Sequence, residues 1–140
     1  MIDFDNQTNL DIKVEELKEI VEFITDKNFE LIVVDNKTIQ EINKEYRNID
    51  KPTDVLSFPL DLSCPGMLVG SIIISANKVI EGAKEFNHSN LDEFKLLLIH
   101  GLLHLIGYDH EVDNGEMRKK EEEIITHFNL PKSLIIRIEK

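Results

Sequence analysis

A nearly unbroken apolar stretch constrains the fold of this chain more than any other feature. The spacing predicts one helix over Leu91–Ile106, and from Leu96 to Ile106 only His100, Gly101 and His104 interrupt the apolar residues. A helix that is hydrophobic on all sides is buried in a core. The stretch is too short to cross a bilayer. Other elements must therefore surround this helix, and both histidines must lie in or beside a core.

The rest of the chain predicts an α+β fold, in which helices flank a small mixed sheet of about four strands. No linker divides the sequence, so residues 1–140 are expected to form a single domain. Strands are predicted at Ile2–Phe4, Phe29–Val34, Val55–Leu60 and Val69–Ser75. The other helices are predicted at Lys13–Asp26, at Lys37–Arg47 after an Asn36 cap, at Ala76–Phe86, and at Glu116–Phe128 after an Asp113 or Asn114 cap. Asp61–Leu68 is expected to be a loop, and Ser133–Ile138 is a short apolar tail, strand or helix.

Composition excludes several classes of protein. The net charge of −11 argues against broad electrostatic binding of nucleic acid, but it does not exclude a cleft that is locally positive. A single cysteine, Cys64, excludes an intrachain disulfide and a cysteine-rich zinc site. The N-terminus has no basic segment followed by an apolar one, so a cytoplasmic protein is expected.

Three of the five histidines lie within eleven residues, at His100, His104 and His110. Residues four apart share one helix face, so His100 and His104 can bind one ion. Gly107 lets the chain leave the helix, and His110 can then return as a third ligand. Three imidazoles and one open position are typical of a catalytic zinc site with one ion per chain. The alternative is that two core histidines bond backbone carbonyls while His110 lies on the surface.

The spacing also matches the metzincin proteases, whose pattern is H-E-x-x-H-x-x-G-x-x-H. All three histidines and Gly107 align, but Gly101 occupies the place of the glutamate that serves as the protease's general base. The sequence therefore argues for shared metal ligands and against peptide hydrolysis. Cys64 as a fourth ligand would instead close the site and make the metal structural.

Three segments resemble the YbeY family of bacterial endoribonucleases, also described as rRNA maturation factors. They are His100–His110, read HGLLHLIGYDH, then Ile42–Arg47 with Asp50–Pro59, and finally Val69–Ser75. The third segment departs from the family, because Ser71 stands where aspartate is usual. The resemblance covers most of the chain, and the first two segments are the distinctive ones.

The resemblance implies a single-strand-specific, metal-dependent endoribonuclease acting in rRNA maturation and ribosome quality control. It implies that His100, His104 and His110 bind the metal and that Arg47 has an important role. The expected partners are single-stranded or ribosomal RNA and a ribosome or ribosomal protein, with no membrane; the oligomeric state is left open. From the residues alone, Arg47 is either a phosphate ligand or a solvated arginine at a helix end.

Other residues have two interpretations each. Tyr46 either stacks on a base or covers core, and Asp109 either orients a histidine or forms a turn. Thr53 and Asp54 are expected to be structural. Four lysines either form a positive rim around a site or only keep the protein surface solvated. They are Lys44, Lys51, Lys78 and Lys84. His88 and His127 are interpreted as ordinary polar residues.

The general base is left open among metal hydroxide, Asp109 and the 2′-hydroxyl of the RNA. Two rival functions also stay open. One is a metzincin-like metal hydrolase with another substrate, and the other is a ribosome-assembly binding protein whose metal only stabilises the fold.

Overall fold

A computed structural model of the protein describes residues 2–60, 68–109 and 111–131. Four strands form one sheet: β1 (Ile2–Asn6), β2 (Phe29–Val34), β3 (Val55–Pro59) and β4 (Gly70–Ser75). Their order is β1-β2-β4-β3, with β1, β2 and β4 parallel and β3 antiparallel to β4. The predicted mixed sheet of four strands is confirmed, and β3 is an edge strand.

Five α-helices accompany the sheet in the described part of the chain. They are α1 (Lys18–Ile24), α2 (Asn36–Arg47), α3 (Ala76–Glu85), α4 (Asn90–Leu105) and α5 (Glu116–Phe128). A 3₁₀ turn at Val14–Leu17 leads into α1, so the first predicted helix begins in a tighter form. Most of the predicted loop and the whole apolar tail lie outside the described residues. No helix in the described ranges is long and apolar enough to cross a membrane.

Helix α4 occupies the centre of the fold, as its composition predicts. Eleven of its sixteen residues are buried, and its apolar residues pack on β2 and β4 together with α1 and α3. Its other side packs against α5 through Ile99, Leu103, Met117 and Ile124. Helix α2 lies on the opposite face of the sheet, where Ile39 meets a smaller cluster. The two faces of the sheet therefore have different cores.

The caps of two helices differ from the sequence interpretation. Helix α2 begins at Asn36 itself, and the preceding Asp35 is its cap, accepting a hydrogen bond from the Thr38 N–H at 2.8 Å. Helix α5 begins after Gly115, whose positive φ of 101° turns the chain. Asp113 still bonds a free backbone N–H group in the first turn of α5, because its carboxylate accepts a hydrogen bond from the Met117 N–H at 3.0 Å. A side chain two residues before the cap thus performs the capping role.

The Asp35 cap gives a prediction about pH. The hydrogen bonds from Thr38, chiefly from its backbone N–H, lower the pKa of Asp35 in the folded protein. A lowered folded-state pKa adds stability above the unfolded-state pKa, and this stability is lost as the pH falls through the folded-state value. Asp35→Asn keeps a capping oxygen but cannot titrate. We expect the wild type to lose melting temperature relative to Asp35→Asn as the pH falls from neutral to about 3. A constant difference across that range would contradict the role of this carboxylate.

Candidate active site

The last two turns of α4 bring His100 and His104 together. Their Nε2 atoms lie 3.2 Å apart, and the rings meet edge to face with centroids 4.7 Å apart. With Zn–N bonds of 2.0–2.1 Å, two nitrogen ligands of a tetrahedral zinc stand about 3.3 Å apart. The pair therefore fits a shared ion in both donor type and spacing. His110 and Cys64 lie outside the described residues, and within those residues no cluster of three metal-binding side chains occurs.

A carboxylate that the sequence analysis missed bonds the other side of His100. The Oε2 atom of Glu121, on α5, lies 2.8 Å from His100 Nδ1, and both side chains are buried. Glu121 lies on the same buried helix face as Met117 and Ile124. A charged residue on an apolar helix face was the signal that could have revealed it, because burying a charge without a partner is costly. The contact also gives His100 a side-chain partner at Nδ1, which the alternative interpretation did not include.

Gly101, between the two histidines, lies directly against the sheet. A Cβ at this position would lie 2.9 Å from Val55 Cγ2, 3.1 Å from Ile72 Cγ2 and 3.2 Å from Ser57 Oγ. The Ser57 hydroxyl also donates a hydrogen bond to the Gly101 carbonyl at 2.7 Å. The residue that replaces the metzincin glutamate thus faces packed side chains, and the position has no room for a longer side chain.

A cleft of about 740 Å³ opens beside the histidine pair. Arg47, at the end of α2, lines this cleft together with His100 and His104. Arg47 is exposed, and it makes no hydrogen bond or ion pair with another residue in the part of the chain that the structure describes. The structure therefore brings Arg47 and two of the three predicted metal ligands to one cavity.

Asp54 and Asp109 also line the cleft, and their contacts are those of turn residues. Asp54 Oδ1 accepts from the Val55 N–H at 2.8 Å, just before β3. Asp109 Oδ1 accepts from the Glu111 N–H at 3.1 Å, and its carbonyl accepts from Val112 and Asp113. Thr53 lines the same wall, with its hydroxyl 3.5 Å from Asp54. These residues shape the cleft where the chain turns.

The remaining candidate residues lie away from the cleft or have other partners. Tyr46 is 66% exposed, packs edge-on against Phe58 and faces a groove on the α2 side of the sheet. Two other side chains are paired, Lys44 with Asp50 and His127 with the Phe23 ring. His88 is not an ordinary surface residue, because its Nε2 lies 2.7 Å from buried Glu93. The cleft wall includes none of the four lysines of the expected positive rim, which are Lys44, Lys51, Lys78 and Lys84.

Comparison with known proteins identifies the family. A family model described as Endoribonuclease YbeY matches residues 2–129. The chain belongs to the YbeY family. A protein named Endoribonuclease YbeY from Nautilia profundicola is 58% identical over 99% of both chains. A protein of the same name from Aliarcobacter butzleri is 60% identical over 98% of this chain and 99% of its own. A solution structure of a Thermotoga maritima protein has a TM-score of 0.63 and 34% identity over 92% of both chains.

Ser71, where the resemblance leads us to expect aspartate, lies on the other face of the sheet. Its neighbour Ile72 contacts Gly101, and side chains alternate between faces along a strand. The Ser71 hydroxyl donates to Glu30 at 2.7 Å, in the groove that Tyr46 also lines. Ser71 is therefore separated from His100 and His104 by the sheet itself.

The tight contact at Gly101 gives a prediction about stability. We expect Gly101→Ala to lower the free energy of unfolding by about 1–3 kcal/mol, because the added methyl group overpacks the contact with β3. Urea denaturation measures this loss. Val55→Ala removes the nearest obstructing atom, so the double variant should lose less than the sum of the two single losses. Strictly additive losses would show that the methyl group does not meet Val55.

Proposed function

We propose that this chain is a zinc-dependent endoribonuclease that cuts single-stranded RNA in rRNA maturation and ribosome quality control. In this proposal His100, His104 and His110 hold one zinc ion, and Arg47 binds the phosphate that is cut. The observation that supports it most is the shared cleft of Arg47, His100 and His104 in a chain of the YbeY family. The relatives named above are themselves called endoribonucleases.

The donor set suits zinc, since neutral imidazole nitrogens are among its preferred ligands. A bound zinc ion would supply Lewis acidity beside the phosphate. Arg47 offers a planar guanidinium with several donors, which suits two phosphate oxygens at once. Because these donors are exposed within the cleft, they can meet the charge that builds up on the phosphate during cleavage. Ser57 and Gly101 line the same cleft and are joined by a hydrogen bond.

Two routes to the attacking oxygen remain, and they leave different products. If the 2′-hydroxyl of the RNA attacks, the upstream fragment ends in a cyclic phosphate. If water attacks, no cyclic phosphate forms. Asp109 lines the cleft as a carboxylate that could accept the proton in either route. Mapping the fragment ends by mass spectrometry separates the two routes.

The negative charge of the chain shapes how RNA is bound. With a net charge of −11, little general attraction to phosphate is expected outside the cleft. We therefore propose that a ribosomal partner helps to deliver the RNA. Tight binding of long naked RNA at high salt would contradict this part of the proposal. The cytoplasmic location expected from the sequence stays a prediction.

The metal assignment predicts the zinc content of variants. We expect the purified wild type to hold close to one zinc ion per chain. His104→Ala should lose this ion, because the substitution removes one of the three proposed ligands. Elemental analysis measures both. His127→Ala is the matched control, since His127 stacks on Phe23 away from the cleft. Equal zinc in wild type and His104→Ala would refute the assignment.

The role of Arg47 predicts a loss of cleavage without a loss of metal. We expect Arg47→Ala to lower kcat on a single-stranded RNA by about 100- to 1000-fold, the usual effect of removing a donor that stabilises transition-state charge. Lys37→Ala, at the exposed start of the same helix, should cleave like the wild type. Zinc content is measured alongside. Wild-type cleavage by zinc-loaded Arg47→Ala would remove Arg47 from the mechanism.

The same preparations distinguish the rival functions. A metallopeptidase would digest casein. We expect no digestion, because Gly101 occupies the place of the metzincin general base and is packed against the sheet. A binding protein with a structural metal would lose melting temperature on His110→Ala but keep its biological role once folded. The proposed enzyme instead loses cleavage in a His110→Ala sample that is still folded.

A further inference from the structure

A buried carboxylate on α5 contacts one of the histidines that we propose as metal ligands on α4. Glu121 is 1% exposed and lies on α5, twenty-one residues after the histidine that it contacts. Its Oε2 meets Nδ1 of His100 at 2.8 Å, while Nε2 of the same ring is turned to His104. The two nitrogens of His100 thus face different partners.

The identity of the partner decides which nitrogen of His100 holds the proton. A carboxylate only accepts hydrogen bonds, so the ring donates from Nδ1. In a neutral imidazole the other nitrogen, Nε2, is then unprotonated, with a lone pair to offer a metal. That is also the atom 3.2 Å from His104 Nε2. The contact with Glu121 therefore sets both the tautomer and the orientation of the ring.

Packing alone does not account for Glu121. Its neighbours on the buried face of α5, Met117 and Ile124, are apolar, and another apolar side chain would complete that face. A buried contact between a histidine and a carboxylate is weak evidence for stability, since apolar residues of similar volume often stabilise as well as a buried polar pair or better. Glu121 instead places a carboxylate acceptor at Nδ1 of His100, the ring nitrogen that does not face His104.

We propose that Glu121 is a positioning residue, which fixes His100 as a ligand through Nε2 before any metal binds. The inference rests on the proposed metal site. It adds a residue from α5 to a site whose two described histidines both lie on α4. Carboxylates of this kind raise the affinity of a metal site by about 10- to 100-fold.

The chain contains a matched control for this inference. His88 and Glu93 form a second histidine–carboxylate pair, 2.7 Å apart, in which Glu93 is buried and His88 is partly buried. Neither residue lines the cleft. Substitution of Glu93 therefore breaks a similar buried contact without touching the proposed ligands, and it separates a general loss of packing from a specific effect on His100.

The first experiment measures zinc affinity by competition with a chromophoric chelator. We expect Glu121→Leu to weaken zinc binding by about 10- to 100-fold. Glu121→Gln, which keeps the shape and an acceptor oxygen, should lose less and covers the case in which the leucine variant does not fold. Glu93→Gln should bind zinc like the wild type. A loss in Glu93→Gln as large as in Glu121→Gln would overturn the specific role.

The second experiment needs no metal and reads the tautomer directly. Long-range ¹H–¹⁵N correlation spectra of the metal-free wild type should show the His100 ring protonated at Nδ1. In Glu121→Leu the ring should shift toward protonation at Nε2, whereas in Glu93→Gln it should not. An Nδ1-protonated His100 in the leucine variant would overturn the positioning role.

The two proposals fail in different ways. If the wild type binds no zinc, the proposed metal site fails and the positioning role fails with it. If the wild type binds zinc and folded Glu121→Leu binds it equally well, only the positioning role fails.

Discussion

The arrangement of this protein depends on the close contact between α4 and the edge strand β3 at Gly101. Only a residue without Cβ allows this approach, because a methyl group would meet Val55, Ile72 and Ser57. The hydrogen bond from Ser57 to the Gly101 carbonyl fixes the two elements together. The histidines on either side of Gly101 are thereby held at the edge of the sheet, where the cleft opens. A contact needed for packing thus also sets the position of the proposed ligands.

One residue of the cleft comes from a helix on the opposite face of the sheet. Helix α2 packs on that face, yet its last residue, Arg47, reaches the cleft around β3. Side chains of α2 hold the loop that follows it, since Asn43 Nδ2 donates to the Lys51 carbonyl and Gln40 Nε2 donates to Asp50. These bonds hold the return of the chain toward β3 and with it the end of α2. The proposed phosphate ligand and metal ligands are thus placed by separate cores that meet at one edge strand.

The sequence predicts whatever depends on neighbours along the chain. Short apolar runs located the strands and helical periodicity located the helices, and the apolar run around His100 predicted a buried helix with two histidines on one face. Asp35 escaped notice as a cap because Asn36 beside it suits the same role. Glu121 escaped because its partner is chosen by how α5 packs on α4, and no local pattern encodes that choice. Contacts between distant elements are what the sequence of one chain leaves open.

The contact between Ser71 and Glu30 is another contact between separate elements, and it lies away from the cleft. Ser71 and Glu30 are partners in the register of β2 and β4, and the serine hydroxyl donates to the glutamate. Two carboxylates at these positions would repel each other, since like charges on paired strand residues destabilise a sheet. A serine beside Glu30 instead supplies a donor, so this face keeps one carboxylate in a satisfied pair. Because the sheet separates the pair from Gly101, a change at position 71 would alter the groove on the α2 face and not the wall of the cleft.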